Sequence, residues 1–319
     1  ARYHTELFTH IGGGTPIADL GCGIGGDTIS FAARFNVIAI ELDPIRLKLA
    51  EANVRACGLS HRVDLRCADW TTTELSVGAA YIDPGRRITT SIGDRKRVFH
   101  LSEMQPPLSA VLTLQRILPH LAVKVAPGVK HKEIPGNAEV SFVSAHGQMK
   151  EALLRFGDLR SGASHTAVLL PGNHRLDNHA PVKTLTLREP GLYLYEPDAA
   201  VIRAGLVAHV GTLLGLEQLD PEIAYLTSDH FAVSQFVKVW YVKRSGSFLL
   251  KKLNVWLREL GAGRVIIKKR GSPIDVEKFQ NQLKVFKGGP EFTVFFTHVK
   301  EQPWMVVAEQ CSQTDGSIS

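Results

Sequence analysis

The chain lacks any apolar run approaching the roughly 18 to 20 residues that a bilayer crossing needs, so no membrane partner is expected. It has no basic N-terminal stretch followed by an apolar core, and thus no recognisable secretory signal. It starts at Ala1 rather than at methionine, so a further N-terminal segment is expected to precede it. Only four cysteines occur, Cys22, Cys57, Cys67 and Cys311, and no two form a CxxC pair. No histidine stands from them at zinc-ligand spacing. Reduced, unpaired thiols in a cytoplasmic protein are therefore expected, with no disulfide and no metal. His131, His146 and His165 are scattered and read as ordinary surface or core histidines.

What is present describes a globular chain. At 319 residues it is too long for one small domain, and 44% hydrophobic against 21% charged residues gives ample material for packed cores. The net charge of +6 is unevenly placed. Between Lys243 and Lys300 stand 13 Lys and Arg against 4 Asp and Glu, an excess larger than that of the whole chain. A basic C-terminal module suits a polyanion such as nucleic acid, although the same composition also serves a plain solvated surface.

Through the first half, short apolar runs alternate with helical patterns, the signature of a doubly wound α/β sheet. Strands are expected over 17–20, 37–41, 63–67, 79–82, 121–125, 139–144 and 166–170, and helices over 27–34, 45–57, 107–118 and 148–156. The polar stretch 172–180, closed by Pro181, reads as a domain boundary. Expected beyond it are a helix built on Ala199, Ile202, Leu206 and Val207, then a strand, helix, strand, helix, strand, strand series from Val237 to Ala308. The division follows as 1–180 for a Rossmann-like domain, 181–242 for a small ferredoxin-like α/β segment, 243–310 for a basic module and 311–319 for a disordered tail.

The strongest local signal is Ala18-Asp19-Leu20-Gly21-Cys22-Gly23-Ile24-Gly25-Gly26-Asp27, which follows a short strand and opens a helix. Gly21, Gly23 and Gly25 let the backbone turn sharply and approach a ligand, and the helix start offers free N–H groups. Gly26 also completes the GxGxxG of dinucleotide-binding proteins, so the glycines alone leave both readings open. Asp19 separates them better. A carboxylate there suits the positive methionine end of S-adenosyl-L-methionine (SAM) and would sit poorly beside a pyrophosphate. Glu41 ends the second strand, where an acid can accept bonds from both ribose hydroxyls. Asp69-Trp70 follows the third, where an acid can take the adenine amino group and a ring can cover the base. Each residue also has a plainer role open to it: a cap or lysine partner for Asp19, core packing for Trp70, a helix start for Asp43-Pro44.

In their order these motifs resemble those of class I SAM-dependent methyltransferases, over about residues 17–170. The resemblance implies a Rossmann-like α/β sheet of seven strands with the last one antiparallel. Tyr81-Ile82-Asp83-Pro84-Gly85-Arg86-Arg87 lies at the fourth strand end. Enzymes of this class that methylate an amino nitrogen carry (Asp/Asn)-Pro-Pro-aromatic at this place, holding the amino group and stacking on the base. Asp83 and Pro84 keep the first half, whereas Gly85 and Arg86 replace the second proline and the aromatic. Arg86 and Arg87 can bind a phosphate or carboxylate, or pair with Asp94 or Glu103. Lys124 can face the acceptor pocket or extend from a strand end to water.

Asp83-Pro84-x-Arg86-Arg87, Val123-Lys124-Val125-Ala126-Pro127-Gly128, Glu196-Pro197-Asp198-Ala199, Ile223-Ala224-Tyr225-Leu226-Thr227-Ser228-Asp229 and Ile267-Lys268-Lys269-Arg270-Gly271 narrow the likeness. Together they resemble a bacterial group of class I methyltransferases with a THUMP-like C-terminal domain, up to about Glu309. That resemblance implies SAM as cofactor, an RNA (tRNA or rRNA) partner bound through residues 243–310, and N-methylation of a base. Asp83, Pro84 and Arg86 are then the acceptor-site residues, with Asp19, Gly21, Gly23, Gly25, Glu41, Asp69 and Trp70 around the cofactor. An RNA-binding protein with an idle methyltransferase domain, and a methyltransferase acting on a small molecule or protein, remain the alternatives.

Overall fold

The computed structural model describes residues 1–11, 14–85 and 100–311, together with the backbone of 87–89 and 95–97. The chain divides into two compact units, Ala1–Asn178 and His179–Ser319.

The first unit is built on a nine-stranded sheet. Its strands are β1 (Ile17–Leu20), β2 (Val37–Glu41), β3 (Val63–Cys67), β4 (Ala79–Ile82), β7 (Leu121–Val125), β8 (Glu139–Ala145), β9 (Gln148–Arg155), β10 (His165–Leu170) and β11 (His174–Asp177). The short strands β5 (Arg87–Thr89) and β6 (Arg95–Arg97) form a separate antiparallel ribbon. The order across the large sheet is β11-β10-β8-β9-β7-β4-β1-β2-β3, with β3, β2, β1, β4 and β7 mutually parallel. Every residue of β1, β2 and β4 is buried, as expected of parallel strands covered on both faces. Helices α1 (Arg2–Leu7), α2 (Gly26–Ala32), α3 (Pro44–Ala56) and α4 (Leu108–Gln115) accompany it. Asp43 caps α3 by accepting from the amides of Ile45 and Arg46, with Pro44 at the first helical position. Ala50 and Val54 are the residues that α3 buries.

The expected helix over 148–156 is the strand β9. His146 and Gly147 both take left-handed backbone angles, φ 52° and 76°, and turn the chain straight back from β8. β9 then lies antiparallel between β7 and β8, and its backbone groups are satisfied by two neighbours. Leu153, Leu154 and Ala152 are fully buried there, so the pairing overrides a helix-forming sequence. The antiparallel strand of the class is consequently β9. The 166–170 run lies in β10, which runs parallel to β8.

The second unit holds a seven-stranded sheet ordered β13-β14-β12-β15-β18-β17-β16. Its strands are β12 (Tyr193–Pro197), β13 (Glu217–Asp220), β14 (Ile223–Ser228), β15 (Val237–Ser247), β16 (Arg264–Lys269), β17 (Glu291–Val299) and β18 (Gln302–Gln310). The expected border at 242/243 falls inside β15, which pairs with β12 on one side and β18 on the other. Residues 181–242 and 243–310 therefore share one sheet. Helices α5 (Ala199–Arg203), α6 (Val207–Leu214), α7 (Leu250–Glu259) and α8 (Val276–Gln280) complete the unit. One core sets Leu253, Trp256 and Leu257 of α7 against Phe292, Val294 and Phe296 of β17. A second joins Leu219, Tyr225, Trp240 and Phe295. The amides of Lys300 and Glu301 bond to Leu219 and Asp220, so the sheet curls until β13 meets the β17–β18 turn. Residues 312–319, the expected tail, lie outside the described residues.

Candidate functional site

The order β4-β1-β2 reverses direction at β1, and in open α/β sheets the crevice at such a switch point, beyond the carboxyl ends of the strands, is where ligands bind. The glycine turn leaves β1 at that edge. Gly21, Gly23 and Gly25 all have left-handed φ, at 84°, 58° and 88°. A Cβ on Gly21 would stand 3.0 Å from the carbonyl oxygen of Asp83, and one on Gly25 would stand 3.3 Å from the Ala50 side chain. The turn thus brings β1, β4 and α3 closer than another residue would permit. Glu41, only 7% exposed, fastens it: its carboxylate accepts from the Gly23 amide at 2.9 Å and from the Asp43 amide at 3.0 Å.

Asp19 lies beneath this turn, 1% exposed, accepting a bond from the Thr28 hydroxyl at 2.5 Å. Burial pushes its carboxyl up to about 7, and the charges of Asp27 and Asp83 act in the same sense. The neighbouring Cys22 thiol is pushed up to about 12, again mainly by burial, and is therefore no nucleophile near neutral pH. At the end of β3, Asp69 is exposed and accepts from the amide and hydroxyl of Thr71, bonds that hold it below the usual carboxylate range. Trp70 beside it is buried, at 7% exposure.

Asp83 follows β4 and its amide donates to Leu20 of β1, which places it alongside the glycine turn. Pro84 is buried, and Gly85 is tied back to Gln105 by a pair of backbone bonds. Arg86 lies outside the described residues. Lys124, from the end of β7, donates to Asp83 Oδ2 at 2.8 Å. Lys124 also lies 3.8 Å from Glu151. Glu151 in turn meets His4 Nε2 at 2.5 Å, and His4 Nδ1 meets Asp27 at 2.8 Å. Burial alone would lower the pKa of His4, but its bonds to Asp27 and Glu151 outweigh that and raise it. For both carboxylates burial acts upward and the His4 bond prevails, leaving each below its ordinary value. The result is a line of alternating charges from Asp83 to Asp27, with His4 stacked on the buried Tyr81 ring at 4.7 Å. A cavity of about 360 Å³ opens beside it, lined by Tyr3, His4, Asp27, Lys124, Lys150 and Glu151.

The structure therefore gathers Asp19, the three glycines, Glu41 and Asp83 at one sheet edge, with Asp69 and Trp70 at the end of β3. His4 and Glu151 join this edge from outside the sequence motifs. Glu151 was hidden by the helical reading of 148–156, and His146-Gly147 between two apolar runs was the turn signal that would have exposed it. His4 had no signal within its own neighbourhood.

In the second unit, Lys268 bonds to Glu196 and lies over the Trp240 ring, and Arg270 stands 3.8 Å from Glu196 and over Tyr225. Three of the motifs that carried the family likeness thus meet in one ion-pair cluster. Among the described residues no helix is long and apolar enough to cross a membrane, and no group of three or more His, Cys, Asp or Glu side chains is placed to hold a metal ion.

Comparison with known proteins bears on the whole chain. Residues 14–114 match the family model described as RNA cap guanine-N2 methyltransferase, and residues 237–310 match that of the THUMP domain-like family. Two Mycobacterium tuberculosis proteins, from strains CDC 1551 and H37Rv, are each 30% identical over 291 residues, spanning 90% of this chain and 78% of theirs. Both are described as uncharacterized S-adenosylmethionine-dependent methyltransferases. A crystal structure from Porphyromonas gingivalis W83, provisionally assigned as a methyltransferase, superposes with a TM-score of 0.75 at 20% identity. It covers 97% of this chain and 80% of its own and so shares the fold.

Proposed function

Because this chain belongs to the family of S-adenosylmethionine-dependent methyltransferases, we propose that it N-methylates a base of an RNA and that Asp83 holds the acceptor amino group. When bound, the cofactor supplies an electrophilic methyl group on a sulfonium. The chain fits it: three left-handed glycines turn the backbone sharply at the switch point, beyond the carboxyl end of β1. Glu41, already oriented by two backbone amides, retains lone pairs for ribose hydroxyls. Asp69 and Trp70 are assigned the adenine end, and Asp19 supplies negative charge beneath the positive end.

The position of Asp83 carries the acceptor reading. It stands at the end of β4, beside the glycine turn, with its carboxylate held by Lys124 at 2.8 Å. A carboxylate kept in one orientation can accept a hydrogen bond from an amino group and aim the nitrogen lone pair at the methyl. It need not act as a strong base. The RNA reading is supported by the family match over residues 14–114, which spans both the glycine turn and Asp83, and whose named activity modifies an exocyclic amino nitrogen.

The test is transfer of radiolabelled methyl from SAM into a bacterial RNA pool, beside calorimetric titration of SAM. Asp83→Ala should lower turnover by about 100-fold while leaving SAM affinity unchanged. Equal loss of both would remove Asp83 from the acceptor site, and label entering protein or small molecules instead of RNA would replace the substrate.

A further inference from the structure

Of the basic residues between 243 and 300, several are already engaged. Besides Lys268 and Arg270 on Glu196, Lys243 pairs with Glu309 at 2.8 Å and Arg264 with Glu291 at 2.9 Å. Lys269 donates to the carbonyl of Ile274. The excess of positive charge is therefore displayed elsewhere, along α7 and the segment 281–288.

Helical spacing puts Lys251, Asn254, Val255 and Arg258 on one face of α7. Asn254 clasps the following segment: its side-chain nitrogen donates to the Gln282 carbonyl at 3.1 Å, and its oxygen accepts from the Lys284 amide at 2.8 Å. Leu283 packs into the core beneath α7, and the Phe286 amide bonds to Ala262 just beyond the helix. Lys284, Val285, Phe286 and Lys287 are thereby held beside that face. Lys251, Lys252, Arg258, Lys284 and Lys287 are all exposed, and the one acidic residue in 250–259 and 281–289 is Glu259, which lies 3.8 Å from Arg244. Between these charges stand three apolar side chains open to solvent, Val255 at 40%, Val285 at 46% and Phe286 at 47%.

We propose that this face of α7 with residues 281–288 binds single-stranded RNA, the lysines and Arg258 tracking phosphates and Phe286 stacking on an unpaired base. Cations set this closely repel one another until a polyanion neutralises them, so phosphate is the complementary charge. An exposed aromatic ring flanked by lysines is the arrangement by which proteins hold unpaired bases without reading their sequence. The backbone that carries the ring is held by the bond to Ala262 and by the Asn254 clasp, so the main chain has little order to gain on binding. The assignment rests on RNA being the substrate. It places the docking surface away from Lys268 and Arg270, which Glu196 engages.

The test uses the full chain and the fluorescence anisotropy of a labelled single-stranded RNA of about 16 nucleotides, measured across a salt series. Lys284→Ala with Lys287→Ala should weaken binding at least tenfold and flatten the slope of log K against log salt by about 1.4, the release expected for two phosphates on a single strand. Phe286→Ala should weaken binding at least about fivefold with the slope unchanged. All of these residues are exposed, so the circular dichroism and SAM affinity of the variants should match those of the parent chain. RNA binding that survives these substitutions with affinity and slope intact would overturn this surface and leave the RNA substrate standing. A parent chain that binds SAM but not this RNA would overturn both, and binding of an acidic protein instead would do the same.

Discussion

Asp19 shows how much a single buried carboxylate can govern. Burial raises its pKa to about 7, above the ordinary carboxylate value, with Asp27, Asp83 and His4 as the charges nearest it. A cationic ligand overhead favours the ionised form, so binding of SAM is linked to loss of this proton. SAM affinity should therefore rise as pH climbs through about 7, and Asp19→Asn should flatten that rise while weakening binding at high pH. Calorimetric titration over the range decides it, and an unchanged rise in the variant would assign the linkage to another group. In the folded chain alone the sign is opposite. A raised carboxyl pKa costs stability as pH increases between the unfolded and folded values, so Asp19→Asn should stabilise the apo protein near neutrality. At this scale the sequence was most legible in where residues stand. The glycines, Glu41 and Asp83 stand at strand ends that apolar runs mark out. The pairing of Lys268 and Arg270 was not legible, because the carboxylate that meets them lies on β12, far away in sequence.

Among the elements, α1 is tied to its neighbours by His4, whose ring joins Asp27 of α2 to Glu151 of β9. Its raised pKa means that the bonds stabilise the fold fully below the ordinary histidine value and lose that contribution as pH rises through the folded one. The two carboxylates, both depressed, set the acid limit, because their contribution disappears as pH falls through their folded values. His4→Gln should thus cost roughly 3 kcal/mol at about pH 6, the cost of removing the cation that two largely covered carboxylates share, and less in alkaline solution. Thermal melts of both proteins across pH would show the gap narrowing, and a constant gap would reduce His4 to a packing residue. None of this network was readable from local pattern. Parallel strands announce themselves as short apolar runs, and 17–20, 37–41, 63–67, 79–82 and 121–125 fall on strands with those same bounds. β9 is different, because Glu151, Ala152, Leu153 and Leu154 are good helix formers whose strand conformation comes only from pairing with β7 and β8.

At the scale of the whole molecule, the division falls at 178/179, close to the polar 172–180 stretch where the sequence suggested it. Strand pairing, which composition does not report, joins 181–242 to the basic module in one sheet. Each unit has cores of its own. Buried residues from Tyr3 to Val168 pack together in the first, and Leu194 to Ala308 in the second, while residues 179–184 between them are exposed. A unit that buries its own core needs no partner to fold. Residues 1–178 and 179–311, produced separately, should each melt cooperatively. The first should bind SAM within about tenfold of the full chain's affinity, and the second should bind single-stranded RNA with the full chain's salt slope. Methylation of RNA should be lost from the first fragment alone if delivery of substrate depends on the α7 surface. A first fragment that methylates RNA as well as the full chain does would confine both recognition and chemistry to the Rossmann-like unit, and would leave the basic face of α7 without a part in the reaction.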